Sequence, residues 1–178
     1  MRRNFETVSV LVTGGLGFIG SHLVEALVAK GARVTVVDNG QAENRANLPP
    51  EVVACIAIRR RDVRDENALK AVVKAAKPRY VFHLAANASV PGSVIDPGYD
   101  FGTNCGGTFN LLNAIRTYAP EARVILASSG AVYGEPTEMP IREGATLAPI
   151  SPYGASKVGA ETECRVFHRV YGMDVVIA

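Results

Sequence analysis

A glycine-rich bend, set between an apolar run and an amphipathic helical pattern, constrains this chain more than any other feature. Residues 8–20 read Val-Ser-Val-Leu-Val-Thr-Gly-Gly-Leu-Gly-Phe-Ile-Gly. The β-branched run predicts a strand, and Phe18, Ile19, Leu23, Leu27 and Val28 share one face of the helix expected after it. Gly14, Gly15, Gly17 and Gly20 fit both the Gly-x-Gly-x-x-Gly and the Gly-x-x-Gly-x-x-Gly spacing. A bend without side chains at the start of a helix lets backbone amides approach a pyrophosphate. Asp38 closes the next apolar run, 18 residues past Gly20, where an acidic residue accepts hydrogen bonds from adenosine ribose hydroxyls. Strand, bend, helix and acid together predict a dinucleotide site.

The rest of the chain alternates in the same way. Apolar runs predict strands near 8–13, 33–38, 52–58, 79–84, 122–128 and 173–178, and helical patterns fall near 18–30, 65–76, 99–118 and 152–171. Gly31 follows the first helix as a terminator, while Lys77-Pro78 and Ala119-Pro120 stop the second and third. Strands alternating with helices pair in parallel through right-handed crossovers. The expected fold class is therefore α/β, a doubly wound parallel sheet of the Rossmann type. Loops 39–50 and 131–150 are longer than plain connections need, and such loops carry ligands at the carboxyl edge of the sheet. Residues 1–178 read as one dinucleotide-binding domain, and the last five, Asp174-Val-Val-Ile-Ala178, read as a buried strand cut short.

Composition narrows the partners. A net charge of +2 is too small to argue for nucleic acid, and Arg59, Arg60 and Arg61 read as a solvated strand end that stops at Asp62. Cys55, Cys105 and Cys164 are odd in number and lack metal-ligand spacing, so plain thiols in a reducing compartment are expected, with no metal. No stretch approaches a membrane span and Met1-Arg-Arg leads directly into a core strand, so a cytoplasmic location is expected.

Two further segments carry chemistry. In Ser151-Pro-Tyr-Gly-Ala-Ser-Lys157, Ser151 suits a helix N-cap and Pro152 the first helical position. Tyr153 then lies in the first turn, with Lys157 four positions on and on the same face. A phenol is a poor base near neutrality, and a neighbouring ammonium favours its ionised form. In Val124-Ile-Leu-Ala-Ser-Ser-Gly-Ala-Val-Tyr-Gly134 the strand ends at Ser128 and Ser129, whose hydroxyls can donate to a substrate oxygen while Tyr153 handles the proton. Ser128 is read equally well as a residue that satisfies the backbone at a strand end; for Ser129 the catalytic role is favoured. His83 ends a strand and reads as a packing histidine.

Taken together, these elements resemble the extended short-chain dehydrogenase/reductase superfamily, and within it the NAD-dependent nucleotide-sugar epimerase/dehydratase family, in its UDP-glucose 4-epimerase-like form. The motifs are the glycine bend, Asp38-Asn39, Asp62-Val63, His83-Leu-Ala-Ala86, Asn104, Ser-Ser-Gly-Ala-Val-Tyr-Gly and Tyr-Gly-Ala-Ser-Lys. The resemblance implies NAD as cofactor, held by Gly14, Gly17, Phe18, Ile19, Gly20, Asp38, Asn39, Asp62, Val63, Leu84, Ala85, Ala86, Asn104, Ser128, Tyr153 and Lys157. Asp62 and Val63 would sit at the adenine, Leu84 to Ala86 along the middle of the cofactor, and Lys157 at the nicotinamide ribose. Ser129, Tyr153 and Lys157 would be the catalytic residues, and Ser89 and Ser93 match a loop near the substrate. Asn104 matches a helix asparagine near the site.

The resemblance also implies a reaction. Sugar 4,6-dehydratases carry an Asp-Glu pair directly after the catalytic hydroxyl, and here those places hold Gly130 and Ala131, which cannot move protons. The expected activity is 4-epimerisation of a nucleotide sugar such as a UDP-sugar, with transient hydride transfer to NAD and Tyr153 taking the hydroxyl proton. Asp38 would repel a 2′-phosphate, so NAD is expected over NADP; Arg45 is the nearest downstream base. Similar family members continue well beyond this length into a carboxyl-terminal substrate domain, expected to be largely absent here. The alternative expectation is therefore an NAD-binding module without independent catalytic activity. The family pattern also implies a homodimer through helices near 104–118 and 152–171.

Overall fold

A computed structural model of the chain describes residues 5–41 and 47–178. Its centre is an all-parallel sheet of β1 (Ser9–Thr13), β2 (Arg33–Asp38), β3 (Ala57–Arg60), β4 (Tyr80–His83), β5 (Arg123–Leu126) and β6 (Val175–Ile177). The strand order is β3-β2-β1-β4-β5-β6. The chain winds outward from β1 in one direction, then crosses back and winds the other way from β4. That reversal parts the loops after β1 and β4 and opens a crevice at their carboxyl ends.

Side chains alternate across the sheet and fill two cores. Val10 and Val12 of β1 face one layer with α1 (Phe18–Ala29) and the short α2 (Pro50–Ala54), through Val24, Leu27 and Val52. Leu11 faces the other layer with α3 (Glu66–Ala76), α6 (Gly107–Tyr118) and α7 (Pro152–Tyr171), through Leu69, Val73, Leu112, Ile115, Ala160 and Phe167. Burial on both faces is why the inner strands read as continuous apolar runs; the edge strands β3 and β6 hold no buried residue, so the last run is a partly exposed edge strand and not the buried strand expected. The punctuation acts as expected. Gly31 takes a positive φ after α1, Lys77 closes α3 in the left-handed region just before Pro78, and the Ser151 hydroxyl accepts from the Gly154 amide at 3.0 Å to cap α7.

Three further stretches differ from the sequence expectation. Residues 52–58 are not one strand: Pro50 starts a helical turn that takes Val52 and Val53, and the strand begins at Ala57. Proline at the first helical position, with Glu51 beside it, favours that turn over an extended start. The segment read as a loop after β4 contains α4 (Val90–Ile95) and α5 (Pro97–Phe101), capped by Ser89 and Asp96 side chains that accept from Gly92 and Tyr99 amides. Finally, the helix expected over 99–118 contains a π-turn, Gly102–Gly106, between α5 and α6. Among the described residues no helix is long and apolar enough to cross a membrane.

Candidate functional site

The crevice is a cavity of about 620 Å³. Gly14, Gly17, Phe18, Ile19 and Gly20 line it from the bend, Asp38 and Asn39 from the end of β2, Val63 from beyond β3, and Leu84, Ala85 and Ala86 from beyond β4. Segments far apart in sequence meet there because parallel winding puts all their carboxyl ends on one edge.

The bend is built for backbone contact. Gly14 has φ +70°, and a Cβ on it would lie 2.7 Å from the Ala85 nitrogen. A Cβ on Gly20 would overlap the Gly14 carbonyl oxygen. No other residue fits either place without moving the chain. Helix α1 starts at Gly17 without a side-chain cap, which leaves first-turn amides for a ligand. The Asp38 carboxylate is 8% exposed and fixed by two amides, Leu16 of the bend at 3.0 Å and Gly40 at 2.9 Å. It thus presents negative charge at the end of β2 in one orientation.

Other expected residues stand off the cavity wall. Asp62 is clasped by the Arg64 guanidinium, with Nη2 to Oδ2 at 2.7 Å and Nε to Oδ1 at 3.0 Å. That guanidinium holds the Asp62 carboxyl below its ordinary range. The neighbouring Arg61 is exposed, as read from the sequence, and also lines the cavity. Asn104 is 2% exposed and sits behind the wall: its Oδ1 accepts from the Asn87 amide at 2.7 Å, and its Nδ2 donates to Asp100 Oδ1 and Ser156 Oγ. Buried Asp100 also accepts from Asn87 Nδ2 and from Ser156 Oγ. This network ties the π-turn to the loop after β4 and to the start of α7. Arg45 falls outside the described residues.

Residues that sequence reasoning missed close the front of the cavity: Gln41, Asn87, Ala88, Tyr99, Thr103 and Ala127, with Ser89 beside them. Thr103 is the most informative. Its hydroxyl oxygen is buried and has no hydrogen-bond partner among the described residues. Three other helical threonines, Thr108, Thr117 and Thr162, donate to the carbonyl four residues back. Thr103 lies in the π-turn, where the widened backbone breaks that spacing. The sequence has no mark for a π-turn, so nothing in it singles out Thr103.

The catalytic candidates gather at the β5–α7 contact. Lys157 is 6% exposed, and its Nζ donates to the carbonyl of Ala127, a cavity residue, at 2.8 Å. Burial pushes its pKa down, and the charges of Asp100 and Glu161 act against that. Tyr153 is also buried, one helical turn before Lys157, and its amide donates to Ser93 Oγ at 3.1 Å. The Ser128 hydroxyl donates to Glu161 Oε1 at 2.6 Å, so it is turned to α7. Ser129 Oγ accepts from the Ala131 amide at 3.2 Å, capping the 3-10 turn Gly130–Tyr133. Tyr153, Lys157, Ser128 and Ser129 are brought to one strand end, though none of them lines the cavity itself.

His83 packs as the sequence suggests. Its Nδ1 lies 2.6 Å from Thr13 Oγ1 and its Nε2 3.0 Å from Thr108 Oγ1. The Thr108 hydroxyl donates to the Asn104 carbonyl, so Nε2 carries the hydrogen and Nδ1 accepts. Complete burial lowers its pKa to about 3, and it stays neutral. Among the described residues no group of three or more His, Cys, Asp and Glu side chains is arranged to hold a metal.

A family model for GDP-mannose 4,6-dehydratase matches residues 11–178. The chain belongs to that family. Within the GDP-mannose 4,6-dehydratase family, in the short-chain dehydrogenase/reductase superfamily, several similar proteins are epimerases. A UDP-glucose 4-epimerase of Lacticaseibacillus casei is 34% identical over 169 residues, covering 95% of this chain and 50% of the relative. The crystal structure of UDP-glucose 4-epimerase from Brucella ovis in complex with NAD superposes with a TM-score of 0.87 at 36% identity, covering 96% of this chain and 51% of that one. A UDP-glucose 4-epimerase from Thermus thermophilus, also in complex with NAD, gives 0.86 at 42% identity, over 94% and 53%. The chain spans about half the length of the curated relatives it matches.

Proposed function

We propose that this chain is the NAD-binding unit of a nucleotide-sugar 4-epimerase acting on UDP-sugars. The observation that carries the reading is one continuous wall. The glycine bend and Asp38 sit at one part of the cavity, and Ala127, which Lys157 grips from behind, sits at another. The residues present suit a dinucleotide: a bend that only hydrogen atoms can line, an anchored carboxylate for a ribose, and an unpartnered Thr103 hydroxyl. Related proteins of this length of match bind NAD in their crystal structures. When bound, NAD supplies the hydride chemistry, taking hydride from a sugar carbon and returning it to the opposite face.

The chain's own residues do the rest. Amides of the bend and the positive end of α1 bind the diphosphate. Asp38 accepts from the adenosine ribose hydroxyls and, by its charge, disfavours a 2′-phosphate. Lys157 holds the second ribose and places positive charge one helical turn from Tyr153, which takes and returns the sugar hydroxyl proton. Ser129 donates to the same sugar oxygen. Gly130 and Ala131 follow it and cannot transfer protons, which favours epimerisation over the water elimination of a dehydratase.

Two further parts belong to the proposal. A homodimer would form through α6 and α7, whose Phe109, Val166, Val170 and Tyr171 are exposed apolar side chains. A reducing, cytoplasmic setting suits three free cysteines.

Isothermal titration with NAD, then with UDP-galactose or UDP-glucose, tests the reading. Binding of both with interconversion of the sugars supports an epimerase. Binding of NAD alone supports a cofactor module without its own activity, and no heat with NAD removes both.

A further inference from the structure

The β5–α7 contact contains a device that the proposed chemistry does not use. Consecutive residues at the end of β5 are gripped by side chains one helical turn apart on α7. Lys157 donates to the Ala127 carbonyl at 2.8 Å, and Glu161 accepts from the Ser128 hydroxyl at 2.6 Å. Glu161 is 4% exposed, and its second oxygen accepts from Arg165 Nη2 at 2.8 Å. A carboxylate this buried is costly unless both oxygens are engaged, and here both are. Ser129 follows the gripped pair, and Tyr153 precedes Lys157 by one turn. The two grips therefore set the register between the strand end that carries Ser129 and the helix that carries Tyr153 and Lys157.

We propose that Glu161 is a positioning residue, holding the end of β5 on α7 through Ser128 and placing its negative charge one helical turn from the Lys157 ammonium. This rests on the reading of Lys157 as a ribose ligand only for its functional consequence; the positioning role stands on the two hydrogen bonds to consecutive residues of the strand end. The groups that face Lys157 are Asp100 from α5, Glu161 and Cys164 from α7, and His83 from β4. His83 is neutral, and burial pushes the Cys164 thiol up to about 12, so it is neutral as well. Asp100 and Glu161 are thus the two charges that oppose the desolvation of the Lys157 ammonium. Asp100 is already committed to Asn87, Asn104 and Ser156. Glu161 lies on Lys157's own helical face, four residues on.

The sign follows directly. Removing the Glu161 charge leaves burial less opposed, so the Lys157 ammonium loses its proton at lower pH. In Glu161→Gln the side chain keeps its shape and an acceptor for Ser128, but it loses its charge and turns an NH₂ group toward Arg165. Glu161→Asp keeps the charge and shortens the reach to Ser128. Lysine Cε resonances followed by NMR across pH, with Lys157 assigned by mutation, read the charge directly. NAD titrations over the same pH range read its use.

Glu161→Gln is expected to move the Lys157 titration to lower pH and to bring the alkaline fall in NAD affinity down with it. Glu161→Asp is expected to restore both curves. A lower melting temperature with both curves unmoved would overturn the proposal and leave Glu161 a structural residue. A Lys157 titration that moves while even the unsubstituted protein fails to bind NAD would uphold the link to Glu161 and sink the dinucleotide reading instead.

Discussion

A buried hydroxyl without a partner and a buried imidazole without a charge are the two residues here with the clearest energetic signatures. Thr103 meets no hydrogen-bonding group among the described residues. Thr103→Val therefore removes no bond from the free protein, and its melting temperature should stay level or rise. If the hydroxyl serves a bound dinucleotide, affinity for NAD should fall about tenfold, or about 1.4 kcal/mol; Thr103→Ser should keep it. Titration calorimetry with parallel thermal melts separates these outcomes. His83 makes the opposite kind of prediction. Its pKa is about 3 folded against an ordinary 6.5. Between those values the unfolded chain takes up a proton that the folded chain refuses, so stability falls as pH falls. The loss should be full-slope below pH 6, about 1.4 kcal/mol per unit, and absent above pH 7. Unfolding free energies from urea curves at pH 7 and pH 5 should differ by about 2 kcal/mol from this residue alone, and His83→Gln should flatten that slope.

At the scale of elements, the π-turn decides how the cavity is walled. It carries Thr103 at the cavity and Asn104 behind it, and Asp100 just before it supplies the carboxylate that gathers Asn87, Asn104 and Ser156. All three partners donate to Asp100, so the site needs an acceptor with two oxygens. Asp100→Asn turns an NH₂ group toward at least one donor and should destabilise the fold by about 2 kcal/mol. Because Asn87 lines the cavity, NAD affinity should fall with it. Denaturant curves combined with NAD titration check both, and an unchanged urea midpoint would show that the network carries no net stability.

For the whole molecule, the strand order places the cavity and the exposed α6–α7 face apart from each other. Five parallel pairings fix the sheet, and the reversal between β1 and β4 fixes where a ligand can enter. On the outer side, Val170 is 62% exposed and Val166 45%, on the same helix. If that face joins two copies, Val170→Glu should yield a monomer by light scattering while NAD affinity stays as it was. A wild-type chain that is already monomeric at working concentration would rule the pairing out.

The sequence by itself determined the sheet and most of the cavity wall. Strands buried on both faces must be continuously apolar, helix ends need their own residue types, and a close backbone approach at Gly14 and Gly20 admits only glycine. Each of those requirements is local, so each is written in a short run of residues. Asp38 was legible because its spacing past the glycine bend puts it at the carboxyl edge of the sheet, and Ala85 was legible only through the family resemblance. What only the tertiary structure decided depends on neighbours distant in the chain. Arg61 lines the cavity while Asp62 is clasped by Arg64, Thr103 loses its usual carbonyl to a π-turn, and the Ser128 hydroxyl is drawn to Glu161, 33 residues away. A hydroxyl or a carboxylate turns toward whichever donor or charge folding brings within about 3 Å, and no pattern of nearby residues encodes that choice.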